Sequence, residues 1–117
     1  DIKKESIMGG MSCGEVSLVP WEILKESVNC CTSVPDDNVA KTVAMLSNKY
    51  FCNKTIVGGE CSTPGIISLI STCENDFVKK ELEINENSNI LIIGCEGDAD
   101  VELYKKLLSK GISQLSK

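Results

Sequence analysis

Ile90-Leu91-Ile92-Ile93, followed by Gly94, is the clearest predicted strand in this sequence and the basis of the predicted fold class. Four apolar residues in a row, without the alternation of a half-buried strand, are typical of a strand covered on both faces, as in a parallel sheet. Two weaker strands are predicted at residues 55–57 and 6–8, and each is followed by a pair of glycines. We therefore expect an α/β fold, with a short, mostly parallel sheet and helices packed on it.

Helical patterns separate the predicted strands. The clearest follows residues 90–93, with Asp98 as its N-cap, Gly111 as its end and an apolar stripe at helical spacing. Further helices are expected after Pro20, near residues 33–46, from Ser62 onward and at residues 77–84. Strands that alternate with helices predict right-handed crossovers and a single α/β segment over residues 1–117.

The composition is that of a globular segment. It has 117 residues, of which 42% are hydrophobic and 25% are charged. The formal net charge is −5, and the chain contains neither arginine nor histidine. Because phosphate tracking needs a basic stripe and base reading favours arginine, we expect no nucleic-acid partner. The lack of histidine excludes Ser–His and Cys–His catalysis and imidazole metal ligands within this chain.

Seven cysteines occur at spacings that include no Cys-x-x-Cys pair, so no metal site is predicted. No signal peptide opens the chain and no apolar run reaches the roughly 18 residues of a membrane span. We therefore expect a cytoplasmic protein with free thiols and no membrane partner. Cys31 and Cys73 lie on apolar faces of predicted helices and are expected to fill the core, whereas Cys95 lies at a predicted strand end.

Glycines follow all three predicted strands, at Gly9-Gly10, at residues 58–59 and at residues 94–97. Ligands of open parallel sheets bind beyond the carboxyl ends of the strands, where glycine lets the backbone approach a flat ligand closely. The same glycines also fit tight strand-to-helix turns, which spacing alone favours over a ligand site.

Four sequence blocks in a fixed order carry a family resemblance. They are residues 8–15 (Met-Gly-Gly-Met-Ser-Cys-Gly-Glu), 21–24 (Trp-Glu-Ile-Leu), 58–62 (Gly-Gly-Glu-Cys-Ser) and 92–100 (Ile-Ile-Gly-Cys-Glu-Gly-Asp-Ala-Asp). Together they resemble the carboxyl-terminal third of the diaminopropionate ammonia-lyases, which are related to threonine dehydratase and the tryptophan synthase β chain. The resemblance implies part of a larger fold-type II pyridoxal-phosphate enzyme domain.

What the resemblance implies is an amino-acid-degrading lyase that cleaves 2,3-diaminopropionate to pyruvate and ammonia by α,β-elimination. In this family a lysine holds the cofactor, pyridoxal phosphate, as a Schiff base. That lysine, the phosphate loop and the acid–base carboxylates match nothing in this chain. The resemblance therefore implies a fragment with no catalytic residue of its own, inactive alone and dependent on the upstream part of the same enzyme.

The resemblance also implies four cofactor-binding residues. Cys95 falls where relatives place a Ser, Thr or Cys against the pyridine nitrogen, and Gly94 precedes it at the same strand end. Glu60 matches an acidic residue near the cofactor ring. Gly10 matches a glycine on the strand that passes the cofactor face.

Two other functions stay open. The first is a free-standing, non-catalytic α/β module that binds a small ligand or a protein. The second is thiol redox chemistry, which would require a cysteine of low pKa. In a fragment, uncovered sheet edges and apolar helix faces would favour self-association, so we expect a homo-oligomer, with a homodimer as its simplest form.

Overall fold

The computed structural model describes residues 5–116, which fold into five helices. They are α1 (Leu18–Ser27), α2 (Val39–Ser47), α3 (Pro64–Cys73), α4 (Asp76–Glu81) and α5 (Val101–Leu115). Short 3-10 turns at Gly9–Met11, Asp36–Asn38 and Glu60–Ser62 precede α1, α2 and α3. In residues 5–116 no helix is both long enough and apolar enough to span a membrane.

The predicted parallel sheet is wrong, because residues 5–116 contain no β-strand. A continuous apolar run indicates burial on both faces, but a strand also needs a partner for its backbone groups. Leu91 and Ile93 are 87% and 80% exposed. Ile92 instead packs against α3, where a Cβ added at Gly65 would come within 2.8 Å of its side chain. The Ile92 side chain is therefore covered by α3 and not by a neighbouring strand.

The core lies between α2 and α5, the two helices with the most extensive mutual contact. Val39 and Val43, one helical turn apart on α2, are fully buried, and Leu107 of α5 is almost as inaccessible. Met8 and Cys61 complete this cluster from the two loops that carry glycine pairs. Burial of one such aliphatic side chain contributes about 1.5–3 kcal/mol. The core therefore anchors both glycine-bearing loops.

Helix α5 begins and continues differently from the prediction. Its N-cap is Asp100 and not Asp98, since the Asp100 carboxylate accepts a hydrogen bond from the Leu103 N–H at 2.9 Å. Gly111 does not end the helix but lies inside it, facing the Ala40 carbonyl of α2. A glycine here permits close approach of two helices, which is a packing requirement rather than a stop signal.

Much of the apolar surface predicted to be buried is exposed within the described part of the chain. No residue of α1 is buried, and its expected apolar face, which includes Trp21 and Leu24, is exposed. Cys31 and Cys73 are also exposed, so their prediction as core residues is wrong. Helical periodicity identified the apolar face of each segment, but it could not tell whether another element covers that face.

The Gly111→Ala variant is expected to lower the free energy of unfolding by about 1–3 kcal/mol. A methyl group at this position would overlap the Ala40 carbonyl, and this clash outweighs the better helix propensity of alanine. Urea denaturation followed by circular dichroism measures the change. Lys110→Ala, at the exposed neighbouring position, is the matched control and should change stability little; equal effects of the two substitutions would refute the close packing.

Self-association is expected from the exposed apolar surface of α1 and of residues 90–93. Light scattering should report an average mass that rises with concentration above the 12.7 kDa of one chain. Leu18→Lys, in the exposed part of α1, should reduce this rise, whereas Lys25→Arg should not. A constant monomer mass over a wide concentration range would contradict the expectation.

Candidate functional site

Three glycine-bearing turns meet at one place in the structure. The Gly59 N–H donates a hydrogen bond to the Glu96 carbonyl at 3.1 Å. A Cβ at Gly59 would overlap the Gly97 carbonyl, so this approach requires glycine at position 59. Gly10 lies against the same place from the third turn, where an added Cβ would be 3.2 Å from the Cys61 sulfur. The turns therefore meet without strands to bring them there.

Cys95 lies on the exposed side of this junction. Its thiol donates a hydrogen bond to the Cys61 carbonyl, with a distance of 3.3 Å between sulfur and oxygen. The residue as a whole is exposed, whereas the hydrogen bond of its sulfur is partly buried.

Glu60 lies partly buried in the same turn as Cys61. Ligand atoms of Glu60, Cys61 and Glu96 all lie within 4.8 Å of one another. The predicted residues Cys95, Glu60 and Gly10 thus gather around Cys61.

Gly94 lies on a different side from Cys95. With Ser62 and Glu96, it lines an apolar cavity of about 440 Å³, whose other walls include Ile56, Ile70 and Ile92. Cys95 does not line this cavity. The four predicted cofactor-binding residues are therefore divided, three around Cys61 and one at the cavity.

Cys61 is the centre of the site, although no sequence motif predicted this role. It is only 4% exposed, and its N–H donates to Glu96 Oε2 at 3.0 Å. Burial raises the pKa of the Cys61 thiol, and the hydrogen bond with the Glu96 carboxylate raises it further, against a smaller lowering by the Gly10 backbone. The thiol therefore remains protonated at neutral pH.

The Glu60, Cys61 and Glu96 side chains have the spacing of potential metal ligands. A cysteine binds metals as its thiolate, however, and the raised pKa of Cys61 opposes that form. Its backbone N–H already uses the Glu96 carboxylate as an acceptor. The hydrogen bonds between residues 59–62 and Glu96 therefore stabilise the turn.

The signals that could have identified Cys61, Ser62 and Glu96 were short. Each residue lies in a short glycine-containing motif, Gly-Gly-Glu-Cys-Ser or Gly-Cys-Glu-Gly. Their contacts join residues that are 34 or 35 positions apart, which no local pattern encodes.

Comparison with known proteins found relatives of one kind. A protein of Escherichia coli K12 is 29% identical over 109 residues, and a protein of Salmonella typhimurium LT2 is 23% identical over 112 residues. Both are diaminopropionate ammonia-lyases. The resemblance predicted from the four sequence blocks is confirmed.

These matches cover most of this chain but little of the relatives. They include 91% of the chain and 27% of the Escherichia coli enzyme, so the chain spans about a quarter of that relative's length. No family model matches the sequence. No solved structure matches it either.

Alkylation of Cys61 is expected to be at least about tenfold slower than that of the exposed Cys13 or Cys73 at neutral pH. Its thiolate is disfavoured by the raised pKa, and its sulfur is buried. Mass spectrometry of peptides after timed exposure to a maleimide measures each rate. Because the pKa is raised, the Cys61 rate should continue to increase as the pH rises above the ordinary pKa of a thiol. Equal rates for all seven cysteines would show that Cys61 is not enclosed.

Proposed function

We propose that this chain forms one wall of a pyridoxal-phosphate-dependent lyase that cleaves 2,3-diaminopropionate to pyruvate and ammonia. The remaining walls come from the upstream part of the same enzyme. The observation that carries the proposal is the meeting of three glycine-bearing turns around an exposed Cys95 thiol. The relatives named diaminopropionate ammonia-lyase support the choice of reaction.

The residues present fit one end of pyridoxal phosphate. The Cys95 thiol donates its hydrogen to the Cys61 carbonyl, so its sulfur would be a weak acceptor for a protonated pyridine nitrogen. Cys95 is exposed and contacts the Cys61 carbonyl, and Gly10 packs against the Cys61 sulfur from another turn. When bound, the cofactor would supply the electron sink for elimination, while protein groups orient it.

Each residue of the wall would have a distinct task. Cys95 would hold the ring nitrogen and set the orientation of the ring plane. Gly10 would leave room beside the ring, and Glu60 would place a carboxylate near its edge. Glu96, which is hydrogen-bonded to the turn at residues 59–62, would hold Cys95 in place.

The wall is incomplete as a catalytic site. In the described residues, none of the hydrogen bonds at the three turns involves a lysine. We infer from the family resemblance that a Schiff-base lysine and a phosphate-binding loop come from an upstream polypeptide. We also propose that the complete enzyme is a homo-oligomer acting on a small amino-acid substrate.

A second candidate function is a free-standing module that binds a small ligand. The apolar cavity of about 440 Å³ favours it, because that volume lies within the usual range of small-molecule sites. The proposed lyase needs a second polypeptide to bind pyridoxal phosphate, whereas a free-standing module would bind its ligand alone.

The test combines this chain with the part of the Escherichia coli relative that it does not match. The chain alone, mixed with pyridoxal phosphate, should give no stable visible absorbance band of a bound cofactor. The co-expressed polypeptides should give such a band and release ammonia from 2,3-diaminopropionate.

Cys95→Ala should weaken cofactor binding in the co-expressed protein by about tenfold, since one hydrogen bond to the ring is lost. Cys95→Ser should retain most of the affinity. Cys73→Ala, which removes another exposed thiol, is the matched control. Full cofactor binding by the Cys95→Ala variant would overturn the assigned role of Cys95, and a stable band from the chain alone would overturn the dependence on a second polypeptide.

A further inference from the structure

Ser62 joins the two turns on either side of Cys95 through a single hydroxyl group. Its Oγ donates a hydrogen bond to the Glu96 carbonyl at 2.6 Å and accepts one from the Glu96 N–H at 2.9 Å. Both backbone groups of one residue are therefore satisfied by one side chain. In a sheet, a neighbouring strand would supply these two hydrogen bonds.

One short segment, residues 59–62, forms hydrogen bonds with both the backbone and the side chain of Glu96. The Gly59 N–H shares the Glu96 carbonyl with Ser62, and the Cys61 N–H binds the Glu96 carboxylate. Ser62 is buried, so water is largely excluded from its hydrogen bonds, and losing them would leave polar groups unsatisfied. Glu96 cannot shift without breaking several contacts at once.

The position of Cys95 follows from its neighbour. Successive side chains of an extended segment point in opposite directions, and Gly94 and Glu96 line the apolar cavity while Cys95 does not. Because Ser62 holds the Glu96 backbone, the Cys95 side chain points away from the apolar cavity. Its thiol instead meets the carbonyl of Cys61, the residue that precedes Ser62.

A carbonyl oxygen only accepts hydrogen bonds, so the Cys95 thiol uses its one hydrogen on Cys61. The sulfur lone pairs then face away from the turn. The orientation of this thiol therefore depends on the relative position of the turns at residues 59–62 and 94–97.

We propose that Ser62 is a positioning residue that fixes the Cys95 thiol toward the cofactor ring by holding the Glu96 backbone. The proposal rests on the proposed function for the identity of the ligand, but the positioning itself is a property of this chain. It assigns to Ser62 a role distinct from the helix start at which the sequence places it.

Ser62→Thr and Ser62→Val form a matched pair for the test. Both add a branched side chain of nearly the same shape, and only threonine keeps the hydroxyl. Hydrogen exchange of the Glu96 amide should accelerate about tenfold in the valine variant relative to the threonine variant, because the N–H loses its acceptor. Cys95 alkylation should also accelerate several-fold in the valine variant, since the sulfur is released from the Cys61 carbonyl.

Other measurements on the same samples separate positioning from general destabilisation. Alkylation of Cys13 and exchange of the Leu107 amide in α5 should be equal in the two variants. If α5 loses protection from hydrogen exchange in both variants, the added bulk is the cause. The comparison is then made between Ser62→Ala, which adds no bulk, and the natural chain. Equal Glu96 exchange and equal Cys95 alkylation with and without the hydroxyl would overturn the proposal.

The co-expressed protein then distinguishes this proposal from the proposed function. With both correct, Ser62→Val weakens pyridoxal phosphate binding and Ser62→Thr does not. If Ser62→Val alters Cys95 reactivity while Cys95→Ala leaves cofactor binding unchanged, the Cys95 contact fails and the role of Ser62 toward the cofactor fails with it. The local coupling of Ser62 to Cys95 would then be structural only.

Discussion

The hydrogen bonds between Ser62 and the Glu96 backbone are the constraint on which the site depends. They hold two segments that are 34 residues apart in sequence, and they do so without a sheet. Because the hydroxyl is buried, water competes little for these bonds. Cys95 then lies beside the Cys61 carbonyl, and the turn at residues 59–62 provides one continuous wall.

The helical core supports this wall directly. Cys61 belongs to the site through its carbonyl and N–H, and to the core through its side chain, which packs with Val39, Val43 and Leu107. Met8 plays the corresponding part for the turn that contains Gly10. Small residues allow the necessary close approach, at Gly59 in the site and at Gly111 between the two central helices. A change in the packing of α2 and α5 would therefore reach the site through Cys61.

The helices could be predicted from local signals, but the absence of a sheet from the described residues could not. The spacing of Val39, Val43 and Leu46 encodes the buried face of α2, and Pro64 lies in the first turn of α3, a position that proline favours. Strand pairing depends on partners elsewhere, and within the described residues the apolar segment at 90–93 has none.

In the candidate site too, residues in local motifs could be predicted from the sequence, whereas residues defined by long-range contacts could not. Family resemblance drew attention to Cys95, Glu60, Gly10 and Gly94, because their motifs are local. Cys61, Ser62 and Glu96 matter through contacts over long sequence separations, which become visible only when the chain is folded. Gly111 was misassigned for a related reason, since a glycine that permits helix contact and a glycine that ends a helix look alike in sequence.

The most direct test of the account is a crystal structure of this chain co-expressed with the unmatched part of the Escherichia coli relative and supplied with pyridoxal phosphate. We expect the Cys95 sulfur within hydrogen-bond distance of the pyridine nitrogen, with Gly10 beside the ring and the Ser62–Glu96 hydrogen bonds intact. A cofactor bound elsewhere, or a Cys95 sulfur directed away from the ring, would contradict the account.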